Sequence, residues 1–334
     1  MLKVGIIGAG LIGNKRAAVI EKLGNGKLIM VADTTYSKAQ DLAQRYNCTP
    51  TSHWEEVVEN DDIDVVIVST VNKYLAPISI KAMENKKHVL CEKPLGRNFE
   101  EATQIYETSK KNNVHLKTGF NHRYHPALKK AKWFCEEGAI GEILFIRCCY
   151  GHGGRLGYDK EWRADKELSG GGELLDQGIH AIDLSRWFLG DFAEVVGWVD
   201  TLFWDMSVED NAFCLFKTSK GQVVSLNASW TQWKNSFSFE IFGKNGYLKI
   251  TGLGGSYGQE RLILGKRPVQ FGVPTEELFE FTNEDTSWID EWEDFTGAVT
   301  ENRQPLGNGY DGLKAMELID AVYKSSKQGC VIKL

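Results

Sequence analysis

The stretch KVGIIGAGLIG, residues 3–13, decides how the first part of this chain folds. A short apolar run leads into the spacing Gly-x-Gly-x-x-Gly, and residues with helical periodicity follow. In that context the glycines allow a tight turn, close approach of a pyrophosphate and close packing of helix on strand, while the helix amino end faces the phosphates. The stretch therefore predicts a dinucleotide-binding turn rather than a glycine turn without a ligand. The predicted cofactor-binding residues of this turn are Gly8, Gly10, Leu11, Ile12 and Gly13.

Asp33 ends the next apolar run, LIMVAD, about 20 residues after the glycine turn, where an acidic side chain holds the ribose hydroxyls of a dinucleotide. A carboxylate at this place repels a 2′-phosphate, and no arginine follows it, since the next residues are Thr34 and Thr35. Lys38 softens this preference without reversing it. We therefore expect NAD as the cofactor, with NADP less favoured.

Two patterns of sequence predict two domains, as does a length of 334 residues, which exceeds what one core usually supports. Up to about residue 120, apolar runs such as DVVIVST alternate with helical patterns, which indicates a parallel sheet covered on both faces. Farther on, alternating strands such as SFSFEIFG follow hairpin-like connections, which indicates an antiparallel sheet. The predicted fold class is α/β, with a Rossmann doubly wound parallel sheet in residues 1–122 and an α+β domain with a large open, mostly antiparallel sheet in residues 123–334.

Composition argues against several classes of partner. A net charge of −6 disfavours a nucleic-acid surface, and no apolar run approaches the roughly 18 residues that span a bilayer. The seven cysteines are odd in number and lack metal-ligand spacing, and no signal-peptide pattern is present, so we expect free thiols in a cytoplasmic protein. We also expect no metal site, because no carboxylate or thiolate completes a set with His122 and His125.

Two short motifs offer candidate catalytic groups. Lys93 directly follows the strand HVLCE, and the carboxyl ends of strands border the ligand crevice in doubly wound sheets. GGGELLDQGIH, residues 170–180, begins a predicted helix over 174–189 and places Asp176 and His180 on one face of it. A carboxylate beside an imidazole raises its basicity, as a general base needs. Taken singly, Lys93 is more typical of a solvated charge, and Asp176 with His180 of a helix-surface pair.

The motifs together resemble the Gfo/Idh/MocA family of oxidoreductases. GAGLIG, Asp33, CEKP and GGGELLDQGIHAID occur in this family's order and spacing, and GFNHRYHP and the closing PLGNGYDGLKAMELIDAVYKSS are of its style. The resemblance implies a Rossmann domain followed by an α/β domain whose open sheet serves oligomerisation, so we expect a homodimer or homotetramer. Trp230 and Trp233 are either core residues or part of such an uncovered apolar face.

The resemblance also implies a catalytic set of Lys93, Asp176 and His180. His180 would take the proton of a ring hydroxyl while the carbon's hydride moves to C4 of nicotinamide. Lys93 would hydrogen-bond the same oxygen, and Asp176 would orient and polarise the group. Acid–base catalysis of this kind contributes on the order of 10²–10⁴-fold in rate.

One motif departs from the family pattern. Many relatives carry Thr-Pro-Asn-x-x-His near the nicotinamide, whereas this chain has TVNKYLAP, with Val71 for the proline and Leu75 for the histidine. The departure leaves the local substrate contacts open but hardly affects cofactor binding. The predicted cofactor contacts beyond the glycine turn are Asp33, Thr70, Asn72, Glu92 and Lys93.

The glycine-rich, polar and aromatic stretch at residues 151–172 is too irregular for core and precedes the catalytic helix. It is either a substrate-binding loop or a solvated surface loop, and we weigh the two equally. Arginine and aromatic side chains suit an anionic or hydroxyl-rich ligand. The predicted substrate-binding residues are Lys93, Asn121, Arg123, Tyr124, Arg155, Tyr158, Trp162, Arg163, Asp176 and His180.

The leading hypothesis is an NAD-dependent dehydrogenase or ketoreductase that acts on a secondary hydroxyl or ketone of a sugar, inositol or sugar derivative. A nucleotide-sugar dehydrogenase is the first alternative, supported by the arginines of the 151–172 loop. A non-catalytic dinucleotide-binding sensor is the second, although Lys93, Asp176 and His180 argue against it. Hydrolysis through transient oxidation by a retained cofactor is the third.

Overall fold

The computed structural model describes residues 1–334, which form two compact units. The first unit comprises Met1–Asn121, Glu167–Gly170 and Trp288–Met316, and the second comprises His122–Lys166, Gly171–Ser287 and Glu317–Leu334. The assignment of cofactor binding to residues 1–122 and of substrate binding and oligomerisation to residues 123–334 stays a prediction.

Strands and helices are distributed over both units. The strands are β1 (Leu2–Ile7), β2 (Gly26–Ala32), β3 (Thr49–Thr51), β4 (Val65–Val68), β5 (His88–Cys91), β6 (Leu116–Thr118), β7 (Ile143–Gly151), β8 (Phe192–Asp200), β9 (Asn211–Thr218), β10 (Val223–Ser229), β11 (Ser236–Gly243), β12 (Gly246–Thr251), β13 (Glu260–Lys266), β14 (Thr275–Phe281) and β15 (Ile332–Lys333). The α-helices are α1 (Leu11–Leu23), α2 (Tyr36–Tyr46), α3 (Trp54–Val58), α4 (Leu75–Glu84), α5 (Phe99–Asn112), α6 (Pro126–Glu136), α7 (Lys166–Ser169), α8 (Ile179–Leu189), α9 (Ser287–Glu301) and α10 (Gly309–Gln328). None of these helices is both long enough and apolar enough to cross a membrane.

The first unit is built on a six-stranded sheet in the order β3-β2-β1-β4-β5-β6. Its neighbouring strands are all parallel, which confirms the predicted doubly wound sheet. The strand order reverses between β1 and β4, and ligands of such sheets bind outside the carboxyl ends of the strands at this point. β4 is buried along its whole length, as expected of a central strand covered on both faces. Trp292 and Phe295 of α9 belong to the same hydrophobic core as Val4 and Ile6 of β1.

The second unit is built on a nine-stranded sheet in the order β14-β13-β12-β11-β7-β10-β9-β8-β15. Only β10 and β7 pair in parallel, so the predicted mostly antiparallel sheet is confirmed. Exposed Phe213 and Leu215 alternate with buried residues along β9, so one face of the sheet carries uncovered apolar side chains. Trp230 is fully buried and Trp233 is exposed. Homo-oligomerisation through this sheet stays a prediction.

The predicted helix over 174–189 begins differently from expectation. Leu174–Gly178 form a π-helical turn, and the α-helix α8 begins only at Ile179. Gly178 faces β10 so closely that an added Cβ would lie 3.1 Å from the Cβ of Ala228 and 3.1 Å from Leu174. We attribute the wider turn to this close packing on the sheet, a tertiary contact that helical periodicity does not encode.

Candidate active site

The glycine turn after β1 has two positions at which a side chain would clash, Gly8 and Gly13, and one at which it would not, Gly10. Gly8 has φ of 101°, and an added Cβ would lie 2.7 Å from the carbonyl carbon of Ser69. A Cβ on Gly13 would overlap the carbonyl oxygen of Gly8. A Cβ on Gly10, by contrast, would have no neighbour within 4 Å. Gly8 and Gly13 therefore shape the turn, and Gly10 leaves its outer side free for close approach of a ligand.

The amino end of α1 is suited to an anion. Gly10 is its N-cap residue and supplies no side-chain cap, and the first turn contains no acidic residue. The first backbone amides of the helix, at Leu11, Ile12 and Gly13, thus keep the donors and the partial positive charge that bind phosphate. This donor set fits the pyrophosphate of a dinucleotide.

The Asp33 carboxylate is fixed at the end of β2 by two backbone amides. Its Oδ2 accepts a hydrogen bond from Ala9 N at 2.8 Å, and its Oδ1 accepts one from Thr35 N at 2.8 Å. Each carboxylate oxygen can accept more than one hydrogen bond, so Asp33 can also accept from ribose hydroxyls. The chemistry of this position fits an adenosine ribose without a 2′-phosphate.

Asn14 supports the glycine turn and was missed by the sequence-based analysis. Its Nδ2 donates to the carbonyl oxygens of Ala9 and Gly10, both at 2.8 Å, and its Oδ1 accepts from Arg45 on α2. The Asn14 side-chain amide thereby fixes the carbonyl groups of Ala9 and Gly10, which lie before and after the Cα atom of Gly10. The available signal was its place directly after Gly13, where its side chain is within reach of the carbonyl groups of the glycine turn.

Thr70 and Asn72 follow β4 at the same edge of the sheet. Thr70 Oγ1 donates to the carbonyl of Val71 at 3.1 Å, and Asn72 is buried, with Nδ2 donating to the carbonyl of Ser169 at 2.8 Å. Both side chains thus already form hydrogen bonds within the first unit, and their contacts with a cofactor stay predictions.

Glu92 and Lys93 follow β5, the next strand of the sheet. Glu92 Oε1 accepts hydrogen bonds from Nε and Nη2 of Arg16 at 2.8 and 2.6 Å. Burial raises the pKa of the Glu92 carboxyl above its usual value, and the Arg16 guanidinium opposes this shift. Lys93 is partly buried, and its peptide bond to Pro94 is cis. The glycine turn, Thr70 and Lys93 therefore all lie at the carboxyl ends of the adjacent strands β1, β4 and β5.

In the second unit, His180 lies on the first turn of α8 and stacks on a second histidine. The rings of His180 and His122 are 3.7 Å apart between centroids and 10° from parallel, and both side chains are largely buried. His122 Nε2 is 2.9 Å from the hydroxyl of Tyr150, whose pKa burial raises well above its usual value. The structure therefore gives His180 a flat aromatic support that sequence reasoning did not predict.

Asp176 lies on the π-helical turn and pairs with the 151–172 loop. Its Oδ2 accepts a hydrogen bond from Arg163 Nε at 3.2 Å, and the Arg163 guanidinium lies 4.6 Å from the centroid of Trp162. Burial alone would lower the pKa of Arg163, but the Asp176 carboxylate raises it above its usual value. Three residues predicted from sequence, Asp176, Trp162 and Arg163, are therefore brought together.

Other predicted substrate-binding residues have strong partners within the protein. Arg155 forms an exposed ion pair with Glu161 at 2.7 and 2.8 Å. Tyr158 is 2% exposed and packs edge-on against Trp230, with centroids 5.0 Å apart. Their roles in substrate binding stay predictions.

The residues of the GFNHRYHP motif are also buried. Arg123 is paired with Asp183 of α8 through hydrogen bonds of 2.6 and 2.8 Å. Asn121 and Tyr124 are 6% and 4% exposed. Asp183 thus anchors the motif to the helix that carries His180, while substrate contacts by these residues stay predictions.

Two family models match the chain over most of its length. Residues 2–120 match the Gfo/Idh/MocA model described as an oxidoreductase family with an NAD-binding Rossmann fold, and residues 128–249 match the Gfo/Idh/MocA C-terminal domain. Lys93 lies within the first match, and Asp176 and His180 lie within the second.

Individual relatives agree with the models. A levoglucosan dehydrogenase of Pseudarthrobacter phenanthrenivorans is 29% identical over 281 residues, 73% of this chain and 72% of the relative. A myo-inositol 2-dehydrogenase of Thermotoga maritima is 25% identical over 340 residues, covering 100% of this chain and 98% of the relative. A structure of levoglucosan dehydrogenase in complex with NADH superposes with a TM-score of 0.91 at 25% identity, covering 99% of this chain and 98% of that one.

Proposed function

This chain belongs to the Gfo/Idh/MocA family of oxidoreductases, and from that premise we propose that it interconverts a secondary hydroxyl and a ketone of a sugar, an inositol or a sugar derivative, with Lys93 and His180 handling the proton. When bound, NAD supplies the redox chemistry by exchanging a hydride with the substrate carbon at nicotinamide C4. The glycine turn, the amino end of α1 and Asp33 hold the cofactor.

Two parts of the sequence-based prediction are confirmed and are premises here. The cofactor is NAD, since residues 2–120 match an NAD-binding Rossmann model and a similar structure contains NADH. The chain is a dehydrogenase that acts on CH–OH groups, in agreement with its sugar and polyol dehydrogenase relatives. The residue roles and the substrate belong to the proposal.

The observation that carries the proposal is the presence of a complete set of polar groups at the family's motif positions. Lys93 follows β5 at the same edge of the sheet as the glycine turn, Asp176 lies on the π-helical turn, and His180 lies on the first turn of α8. A protein that only senses dinucleotide does not need a base, a cation and a carboxylate together. Their joint presence supports an enzyme.

The proposed role of His180 is to accept the proton of the substrate hydroxyl through its imidazole, and to return it in the reverse direction. The Lys93 ammonium donates a hydrogen bond to the same oxygen and stabilises the negative charge that develops there. The Asp176 carboxylate accepts from the substrate and orients it.

The ion pairs of the 151–172 loop support an uncharged substrate over a nucleotide-linked one. Arg155 is compensated by Glu161, and Arg163 by Asp176. A nucleotide sugar carries a diphosphate, and two arginines that are already paired with carboxylates are less available to bind it. The relatives named levoglucosan dehydrogenase and myo-inositol 2-dehydrogenase make an anhydrosugar and a cyclic polyol the first compounds to test.

The test is the reduction of NAD, followed by near-ultraviolet absorbance, across levoglucosan, myo-inositol, free hexoses and nucleotide sugars. We expect a signal on one of the uncharged classes, its loss in Lys93→Ala, and its retention in the control Lys110→Ala, an exposed lysine on α5. A signal confined to nucleotide sugars would favour the alternative substrate class. Bound NAD without reduction by any compound would contradict the proposal and favour a sensor or a retained cofactor.

A further inference from the structure

Four charged side chains form a buried cluster in the first unit, and none of them takes part in the proposed proton transfer. Arg16 lies on α1, Glu92 follows β5, Lys117 lies on β6 and Glu291 lies on α9. Their side chains are at most 10% exposed. This buried charge cluster contains two positive and two negative groups, so its charges cancel.

Arg16 is the centre of the cluster. Its Nε and Nη2 donate to Glu92 Oε1 at 2.8 and 2.6 Å, and its Nη1 donates to Glu291 Oε2 at 2.6 Å. The flat side of its guanidinium lies 4.5 Å from the ring centroid of Trp288. A planar group bonded on two edges and stacked on one face has little freedom to move. The position of Glu92 is therefore defined by α1 and α9 as well as by its own strand.

Lys117 contacts the carboxylate oxygen of Glu291 that Arg16 does not contact. Its Nζ is 3.5 Å from Glu291 Oε1 and donates a hydrogen bond to the carbonyl of Leu306. Buried ion pairs lose much of their mutual attraction to the cost of removing charges from water, and apolar replacements are often at least as stable. Stability alone is thus a weak reason for four buried charges at this place, and a positioning role is a stronger one.

Glu92 is enclosed on its remaining sides. Its backbone N–H donates to the carbonyl of Val68 on β4 at 2.9 Å. An added Cβ on Gly119 would lie 2.7 Å from Glu92 Oε2, so only glycine leaves room for the carboxylate there. The next residue in the chain is Lys93, so whatever fixes Glu92 also fixes the backbone from which Lys93 extends.

We propose that Arg16 and Glu291 are positioning residues for the reaction: Glu291 holds the Arg16 guanidinium, Arg16 holds the Glu92 carboxylate, and this fixes Lys93, which follows Glu92. Arg16 belongs to the helix whose amino end faces the dinucleotide, so the cluster also ties the cofactor helix to the lysine. The inference rests on the proposed role of Lys93 in catalysis.

The test compares a single with a double variant of the cluster. The double variant restores the balance of buried charges but not the contact between Arg16 and Glu92, so it separates an effect on positioning from an effect on stability. Arg16→Met leaves two buried carboxylates with one ammonium and should lower the midpoint of thermal unfolding. Adding Glu291→Gln to it leaves one carboxylate and one ammonium, so the double variant should recover part of that midpoint. Glu92 still lacks its guanidinium in both variants, so kcat should stay about 10- to 100-fold below wild type in both.

A matched control lowers stability without touching the cluster. Leu42 on α2 is fully buried in the hydrophobic core of the same unit, so Leu42→Ala lowers the unfolding midpoint through lost packing. We expect its kcat at a temperature below unfolding to equal that of wild type. If kcat recovers with the unfolding midpoint in the double variant, or falls equally in Leu42→Ala, the cluster is structural and the inference is overturned.

A second readout does not depend on turnover. Reductive methylation with ¹³C-formaldehyde gives each accessible lysine an NMR signal, and that of Lys93 is identified by its absence in Lys93→Arg. We expect the Lys93 signal to shift or broaden in both Arg16 variants and to be unchanged in Leu42→Ala. If the wild type turns over none of the sugars, the proposed function fails and this signal alone decides the inference. An unchanged Lys93 signal in both Arg16 variants would overturn it.

Discussion

The candidate site residues of the first unit and those of the second are held by different kinds of interaction. Glu92, next to Lys93, is enclosed by buried full charges from two helices, with Arg16 bonded to two carboxylates at 2.6–2.8 Å. His180 is supported by the flat ring of His122, and Asp176 by a partly exposed arginine of a glycine-rich loop. In the first unit, Glu92 is thus held by buried charges, which cannot move without a cost in free energy. In the second unit, His180 and Asp176 are held by a ring and a loop that can adapt.

This difference fits the roles that we propose for the two regions. In the proposed reaction the Lys93 ammonium must stay where negative charge develops, and preorganised charges in a dry environment would achieve that without rearrangement. The substrate, by contrast, varies among the relatives, which include a levoglucosan dehydrogenase and a myo-inositol 2-dehydrogenase. Under the proposed mechanism, a base supported by a ring and a carboxylate paired with a loop would allow the substrate side to change while the lysine stays fixed.

The largest effect is expected for His180→Asn, which removes the proposed base while leaving a polar side chain on α8. We expect turnover of the sugar to fall on the order of 10²–10⁴-fold, the usual contribution of positioned acid–base catalysis. His53→Asn, at an exposed histidine before α3, is the control and should leave kcat unchanged. NAD affinity, followed by tryptophan fluorescence, should stay near wild type in both. A loss of less than threefold in the His180 variant would remove this residue from the catalytic set.

A smaller effect is expected from changing the ring beneath His180. His122→Phe keeps an aromatic surface but loses the 2.9 Å contact with Tyr150, whereas His122→Ala loses both. Aromatic pairs contribute about 0.5–1.5 kcal/mol beyond burial, which corresponds to at most about tenfold in rate. We therefore expect kcat to fall up to about tenfold in the alanine variant and less in the phenylalanine variant. Equal losses in the two would show that the hydrogen bond to Tyr150, and not the ring surface, supports His180.

Sequence patterns were sufficient for the first unit because its fold follows from local signals. The glycine turn, the run ending at Asp33 and the strand before Lys93 each contain a strand end and a loop in one short segment. The topology of doubly wound sheets then brings those strand ends to one edge. The parallel sheet and the NAD cofactor were predictable in this way, whereas the antiparallel sheet of the second unit was predictable from alternating strands that follow hairpin-like connections.

The interactions that hold the candidate residues were not predictable, because each joins residues far apart in sequence. Arg16 and Glu291 are separated by 275 positions, and no periodicity relates a residue of the first helix to one of the ninth. The π-helical turn, which we attribute to close packing on the sheet, lies where Gly178 faces Ala228 on β10, 50 positions away in sequence. His122, judged from sequence only as an unsuitable metal ligand, is instead the ring that stacks on His180.

The smallest effect, and the sharpest contrast with Arg16, is expected for Arg163→Met. The side chains of Arg163 and Asp176 are 33% and 19% exposed, so their ion pair is partly screened by water. Such pairs contribute about 0–1 kcal/mol, which corresponds to at most about a fivefold change in an equilibrium constant. Because Arg163 orients Asp176 and neither of them transfers the proton, we expect KM for the sugar to rise within that range while kcat changes little.

Arg147→Met provides the matched control for Arg163, since Arg147 forms an ion pair of 2.6 Å with Glu240 on the sheet of the same unit. We expect Arg147→Met to change neither kcat nor KM for the sugar. The two variants should therefore differ in the kinetic constant that changes. Arg16→Met should lower kcat, because it disturbs the position of Lys93. Arg163→Met should raise KM, because it disturbs the pairing of Asp176 with the 151–172 loop. If Arg163→Met lowers kcat as strongly as Arg16→Met does, the loop is as much a part of the fixed machinery as the buried charge cluster, and the distinction between the two regions fails.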